Sequence, residues 1–320
     1  MRKSAYKAIL SLLVIASTVW YIFYDLYPSE ITDLSTQPTE FSTLRAFEHV
    51  KNIGDEPHHI GADAHNQKRN YIVNALEDLN LQVQTQQDFV LTKDGVLTAP
   101  ENIITRIAAT NPKPNSKSLL LLSHYDSAVH SSPGAADAAS GVAAILEAIR
   151  AFQASKPRFQ NDIIIVFSDG EEVGLTGAEL FAREHPWIEE VGLVLNFESR
   201  GSGGPSNMIV ETNHGNSRLI SLFNKAQGEH PLANSLMYSV YKLLPNDTDS
   251  TVFREIADIP SFFFAFIDDH YDYHTALDRP ERLDKRSLAH QGDYLMASLT
   301  EFSNSDLSDL TSGQDDVYFT

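Results

Sequence analysis

The amino-acid sequence predicts an α/β fold with a mixed, mostly parallel central sheet and helices on both faces, plus one N-terminal transmembrane helix. Three observations carry this expectation. Dense apolar runs at 118–122, 162–167, 191–197 and 261–267 have the continuous hydrophobicity of strands buried on both faces. A stretch with helical spacing, 140–152, lies between the first two and gives a βαβ rhythm. Residues 8–24 contain no charged side chain.

That uncharged run follows Arg2, Lys3 and Lys7, and Trp20, Tyr21, Tyr24 and Tyr27 gather at its far end, where acidic Asp25 and Glu30 also fall. At about 1.5 Å per residue it reaches the short end of a bilayer-spanning length, and aromatic rings favour the membrane interface. Residues 1–27 are therefore expected to form a cytoplasmic stub and membrane anchor. The body then lies on the extracytoplasmic side, in a periplasm, outside the cell or in the endoplasmic-reticulum lumen. A cleaved signal peptide ending near Ala16-Ser17 is the rival reading, but the apolar stretch continues from Val19 to Phe23, past that point.

Residues 28–41 are polar, include Pro28 and Pro38, and read as a linker. One domain is expected over 42–303, opening with a helix at 66–79 and a strand at 82–91. Residues 304–320 are acidic and Ser-rich, the composition of a disordered tail.

Of the 320 residues, 42% are hydrophobic and 21% charged, the balance of a globular protein. The formal charge of -19 argues against nucleic acid as a partner, because binding phosphates requires clustered Lys and Arg. There is no cysteine, which excludes disulfides, thiolate metal sites and a cysteine nucleophile. No feature of the sequence indicates an oligomeric state.

Ligands of open α/β sheets sit beyond the C-terminal strand ends, and each predicted core strand here ends in a polar cluster. The first runs into Ser123-His124-Tyr125-Asp126, the second into Ser168-Asp169-Gly170-Glu171-Glu172, the third into Glu198, and the last into 268–274. Converging His124, Asp126, Asp137, Glu171, Glu172, Glu198 and His274 would crowd like charges unless cations neutralised them. Nitrogen and oxygen donors without sulfur suit catalytic zinc, and also manganese or cobalt.

In His124-X-Asp126 a carboxylate is placed to orient a metal-binding imidazole. Asp137 lies just before a predicted helix, where it or Ser140 could alternatively act as a cap. The pair Glu171-Glu172 reads either as a surface turn or as two divided roles, one carboxylate on metal and the other moving a proton.

The motifs together carry a resemblance. His124-Tyr125-Asp126-Ser127, Ser132-Pro133-Gly134-Ala135-Ala136-Asp137 with Ser140-Gly141, Glu171-Glu172-Val173-Gly174-Leu175-X-Gly177, Asn196-Phe197-Glu198 and Tyr273-His274-Thr275-X-X-Asp278 resemble the co-catalytic zinc exopeptidases of metallopeptidase family 28. That family includes bacterial leucyl aminopeptidases and glutamate carboxypeptidases. The similarity runs from about 41 to 302 and takes in His59-Ile60-Gly61 and Asn246-Asp247-Thr248-Asp249. Segments 196–205 and 244–253 look like the membrane-anchored branch that includes an endoplasmic-reticulum metallopeptidase.

The resemblance implies two Zn2+ per chain and peptide substrates. By matched positions, His124 and Glu198 would hold one ion, Glu172 and His274 the other, with Asp137 bridging. Glu171 would be the general base, Asp126 the orienting partner of His124, and Tyr273 a stabiliser of the oxyanion. Many relatives have aspartate where this chain has Glu198, and Ala138 stands where an acidic residue often follows the bridging aspartate.

Aminopeptidase action is the leading expectation. A carboxypeptidase needs a cationic pocket, for which Arg200 and Arg254 are available. Two readings from other classes are a single-zinc cyclising acyltransferase and a catalytically inactive membrane-bound interaction module. Phe262, Phe263, Phe264 and Phe266 read as core strand, and His58, His59, His130, His185, His214, His230, His270 and His290 mostly as surface or loop residues. No nucleophile elbow supports a serine triad.

Overall fold

The computed structural model describes residues 2–320 except 29, 227, 242 and 244–246, with backbone only for 2–4. Asn246 and Leu244, which belong to two of the resembling segments, lie outside the described residues, as do the side chains of Arg2 and Lys3.

The helices are α1 (Arg2–Asp25), α2 (Thr43–Ile53), α3 (His65–Asp78), α4 (Ala139–Ala154), α5 (Thr176–Glu184), α6 (Ser217–Phe223), α7 (Ser235–Tyr241), α8 (Asp249–Ala257) and α9 (Lys285–Phe302). The strands are β1 (Val83–Gln87), β2 (Val90–Leu91), β3 (Leu97–Thr98), β4 (Glu101–Ile107), β5 (Ser118–His124), β6 (Ile163–Ser168), β7 (Val191–Ser199), β8 (Asn207–Glu211) and β9 (Ser261–Phe266). Seven strands form one sheet in the order β1-β4-β6-β5-β7-β9-β8.

The four central strands, β6, β5, β7 and β9, run parallel, while β1, β4 and β8 pair antiparallel at the two edges. Every residue of β5, β6 and β9 is buried, as a parallel sheet covered on both faces requires. Alternation along β5 divides the core in two. Leu119 and Leu121 point to the side of α2, α4 and α9, and Leu120 and Leu122 to the side of α5 and α8. Helices thus cover both faces.

The expected strand at 82–91 is two elements in different sheets, because β2 leaves the main sheet to pair with β3 as a small hairpin. Segment 5–25 of α1 is long and apolar enough to cross a membrane, with none of its most apolar window buried in the protein. The linker segment is fastened to the body. Arg45 donates to the carbonyls of Leu34 and Thr36 at 3.1 and 2.9 Å, and Arg150 to that of Pro38 at 2.7 Å. Both guanidiniums share the buried carboxylate of Glu147, which also accepts from the Ser42 amide. Ser42 in turn caps α2 by accepting from the Arg45 amide.

The disordered tail expected over 304–320 is corrected by the structure. Leu307 and Leu310 are buried in the main core, Asn216 exchanges bonds with Asp315 and Asp316, and residues 318–320 pair with 233–235. Acidic composition masked a few apolar anchors and side-chain-capped turns such as Ser308 on Asp306. Gly192 lets this segment pass close by, since a Cβ there would collide with the Leu307 carbonyl. Leu307→Ala is expected to cost about 2–5 kcal/mol, the range for a buried leucine, read as a lower denaturation midpoint; an unchanged midpoint would mean the segment does not pack.

Candidate metal centre

Because β5, β6, β7 and β9 are parallel, their C-terminal ends open on one edge of the sheet. His124 is the last residue of β5, and Glu198 is the penultimate residue of β7. Glu171 and Glu172 lie in a turn after β6, bent back by Gly170 at φ 72° and closed by Gly177 N–H on the Asp169 carbonyl at 2.8 Å. Asp137 sits two residues before α4, and His274 follows β9.

These side chains converge. His124 Nε2 lies 3.3 Å from Asp137 Oδ1 and 3.5 Å from Glu198 Oε2. His274 Nε2 lies 3.2 Å from Asp137 Oδ2 and 2.9 Å from Glu172 Oε2. Asp137 therefore turns one oxygen to each imidazole. Ligand atoms of a tetrahedral zinc with bonds near 2.0–2.1 Å stand about 3.3 Å apart, so both groups fit an ion of that size. Glu172 Oε1 is buried without a hydrogen-bond partner, a cost that coordination would remove.

The electrostatics call for positive charge. Burial pushes the Glu171 carboxyl well above its usual range, with Glu198 and Glu172 adding to the rise against His124. Burial and the Asp137 charge raise Glu172 to about 8. Burial opposes protonation of both imidazoles, yet Glu198, Asp126 and Asp137 hold His124 well up, and Asp137 and Glu172 hold His274 at about 9. Asp137, which burial alone would raise, is kept low by its bonds to the two histidines. The cluster holds protons tightly, and divalent cations could take their place.

Asp126 differs in detail from the expected role. His124 Nδ1 donates to its backbone carbonyl at 2.9 Å and lies farther, 3.4 Å, from its carboxylate. That carboxylate accepts the amides of Glu171 and Glu172 at 3.2 and 3.3 Å. Asp126 thus fixes the imidazole and the glutamate turn together. Tyr273 stacks on His274 at 3.7 Å between ring centres, and its hydroxyl accepts from Arg200.

Several supporting residues had no role assigned from sequence. Asp278 accepts the amides of Ala136 and Asp137 at 2.7 and 3.2 Å, holding the loop that presents Asp137. Thr248 donates to Glu198 at 2.8 Å and is itself held by Asn196 at 2.9 Å. His65 braces the glutamate turn through Asp169 at 2.9 Å. Asp278 and Thr248 stand inside motifs already singled out; nothing local in sequence marks His65. His58, His185 and His290 are buried rather than on the surface. His290, for example, bonds the Ser206 amide and the His230 carbonyl.

A cleft of about 710 Å3 opens on the cluster, walled by Glu171, Glu172, Tyr273 and His274 together with Arg200, Asp247 and Glu255. Arg254 is not on its wall and bonds Asn213 and Glu255 instead. Beside it, Arg200 and Tyr273 also border an apolar chamber of about 330 Å3, into which β9 turns Phe263 and Ala265. Phe263 thus faces away from Phe262, Phe264 and Phe266, which stay in the main core.

The model of peptidase family M28 matches residues 102–299. The chain is 32% identical over 209 residues to endoplasmic reticulum metallopeptidase 1 of Mus musculus, covering 64% of this chain and 23% of that protein. It is 30% identical over 284 residues to the vacuolar membrane protease of Candida albicans, covering 87% and 32%. The chain therefore spans about a quarter to a third of the length of these relatives. In fold it is similar to a glutaminyl cyclase of Porphyromonas gingivalis, with TM-score 0.65 and 21% identity over 82% of this chain and 99% of that one. A zinc-dependent exopeptidase of Parabacteroides distasonis gives 0.62 and 20% over 83% and 99%. The match across the sheet, its strand-end motifs and the helices that cover it establishes that the chain belongs to peptidase family M28, in its membrane-anchored metallopeptidase branch.

Proposed function

We propose that this chain is a zinc-dependent exopeptidase, acting as an aminopeptidase, with Glu171 as general base. The observation that carries the reading is the Asp137 carboxylate, whose two oxygens meet two separate imidazole–carboxylate pairs. His124, Glu198 and Asp137 would hold one ion, and Glu172, His274 and Asp137 a second. When bound, zinc supplies Lewis-acid polarisation of a peptide carbonyl and makes water more acidic.

The remaining work falls to side chains. Glu171 takes the proton of the attacking water and returns it to the leaving amine, a task suited to a carboxyl whose affinity for protons burial has raised. Arg200 donates to the Tyr273 oxygen, which leaves the phenolic proton free to point at the carbonyl oxygen as charge develops there. Burial raises the Tyr273 pKa and keeps that proton in place.

Charge in the cleft supports a free amine rather than a free carboxylate at the substrate end. Apart from Glu171 and Glu172, which serve the metal site, and the paired Glu179 and Arg183, its wall carries the acids Asp94, Asp247 and Glu255 against the cations Lys93 and Arg200. Arg183 is paired with Glu179, and Arg200 is committed to Tyr273 and the Asp247 carbonyl. On the membrane side, basic Arg2, Lys3 and Lys7 support a cytoplasmic N-terminus with the catalytic body in the opposite compartment.

Glu171→Gln is expected to retain zinc by metal analysis while kcat falls by about 10²–10⁴, the usual worth of a positioned base; near-normal turnover would remove Glu171 from that role. A peptide panel tests specificity. Cleavage confined to substrates with a free amine supports the aminopeptidase, cleavage of N-blocked peptides with a free carboxyl end supports a carboxypeptidase, and ring closure without hydrolysis supports a cyclising transferase. In Asp278→Asn one carboxylate oxygen that accepts an amide is lost, and zinc affinity measured against a competing chelator is expected to fall about 10–100-fold. Unchanged affinity would mean that Asp278 does not position Asp137.

A further inference from the structure

Two segments distant in sequence expose apolar side chains, and the second of them brings Phe319 beside the end of α1. On α7, Leu236 and, just beyond its end, Leu243 point outward, while Val240 between them stands at the margin where the helix also borders the apolar chamber. Their exposures of 71%, 85% and 43% are high for such side chains. The opposite side of α7 is occupied, since Met237 and Tyr241 pack on Ile209, Phe263 and Ala265.

The second segment pairs with the chain just before α7. Thr320 N–H donates to the Ala233 carbonyl at 3.0 Å and Ser235 N–H to the Tyr318 carbonyl at 3.0 Å. Alternation then sends Tyr318 inward against the core and Val317 and Phe319 outward, 90% and 84% exposed. A clustered apolar surface of this kind marks a partner.

The anchor indicates which partner. His230 Nδ1 donates to the Asp25 carbonyl at 3.0 Å, and Tyr27 meets Asp284 at 3.4 Å with the Arg286 guanidinium 4.6 Å from its ring. The body is thus clamped directly to the end of α1. Tyr21, Ile22 and Leu26 of that end share the walls of a cleft of about 510 Å3 with Leu232 and Phe319. Trp20, Tyr21 and Tyr24 form an aromatic group at this level of the helix, where rings settle at a membrane interface. Phe319 is therefore held beside the aromatic end of α1.

We propose that the outer side of α7, with Val317 and Phe319, rests on the lipid surface from which α1 emerges. The inference depends on α1 being a membrane anchor. Glu229, Asp315 and Asp316 border the two segments, with Lys242 the one basic residue in the α7 run by sequence. Such a border gains nothing from anionic headgroups, so the partner is an uncharged or zwitterionic lipid interface. Since the inner side of α7 walls the apolar chamber beside Arg200 and Tyr273, lipid contact would also steady that wall.

The test uses the full chain reconstituted in phosphatidylcholine vesicles, with Leu236→Trp introduced beside Trp20→Phe and the variant retaining only Trp187 as baseline. Side chains that enter an interface lie about 5–10 Å below its surface. The new tryptophan is expected to emit to the blue of its water-exposed position and to be quenched by phosphatidylcholine brominated high on its chains. Phe319→Trp repeats the measurement from the second segment, so that a local disturbance of α7 does not decide the result. Water-like, unquenched emission from both probes would overturn the proposal. Blue-shifted but unquenched emission, with cross-linking between copies, would overturn it in favour of a second chain as the covering partner. Failure of the chain to float with the vesicles would overturn the anchor and this inference together, while peptide cleavage measured separately would leave the exopeptidase reading standing.

Discussion

The structure is organised around the burial of like charges at one edge of a sheet. Asp137, Glu172 and Glu198 are nearly withdrawn from water, with Glu171 in the adjoining turn. Carboxylates so close in a medium of low dielectric repel strongly and lose hydration, so a cluster of this kind persists only when positive charge is supplied and every side chain is held in position. Four parallel strands make the gathering possible, because their dry, two-sided burial fixes which residue of each strand reaches the edge.

Holding the ligands is the task of residues remote in sequence. Asp278 fixes the Asp137 loop from 141–142 positions away in sequence, Thr248 fixes Glu198, and Asp126 ties the Glu171-Glu172 turn to β5. Asp137 also lies just before α4, where the helix dipole favours negative charge. Asp137, Glu198 and Glu172 are each held from another segment of the chain. Outer partners of this sort set ring orientation and basicity and contribute much of a metal site's affinity.

Much of this was legible in the sequence, for a physical reason. A strand buried on both faces leaves a dense apolar run, and the polar residues that end it stand out against it, as His124, Glu171, Glu172 and Glu198 do. His274 and Asp137 were legible through motif spacing. Support by His65 or Asp278 was not, because a hydrogen bond between segments has no local period. The segment 304–320 was misread because burial of Leu307 and Leu310 outweighs an acidic composition that averages over them. Phe263 reads as core strand from the sequence because four phenylalanines in one strand look alike until alternation turns this one toward a different chamber.

Fold similarity alone leaves the chemistry open, since a cyclase and an exopeptidase resemble this chain almost equally. The side chains discriminate more sharply. With a single ion on His124, Glu198 and one Asp137 oxygen, the second Asp137 oxygen, Glu172 and His274 would remain a buried acid–imidazole group with no cation, and Glu172 Oε1 would stay unpartnered. A second ion held by Asp137, Glu172 and His274, as proposed above, would satisfy all of these at once. Under that proposal the two adjacent carboxylates would have separate uses, Glu172 to bind and Glu171 to move a proton, and this division is the argument for a second ion.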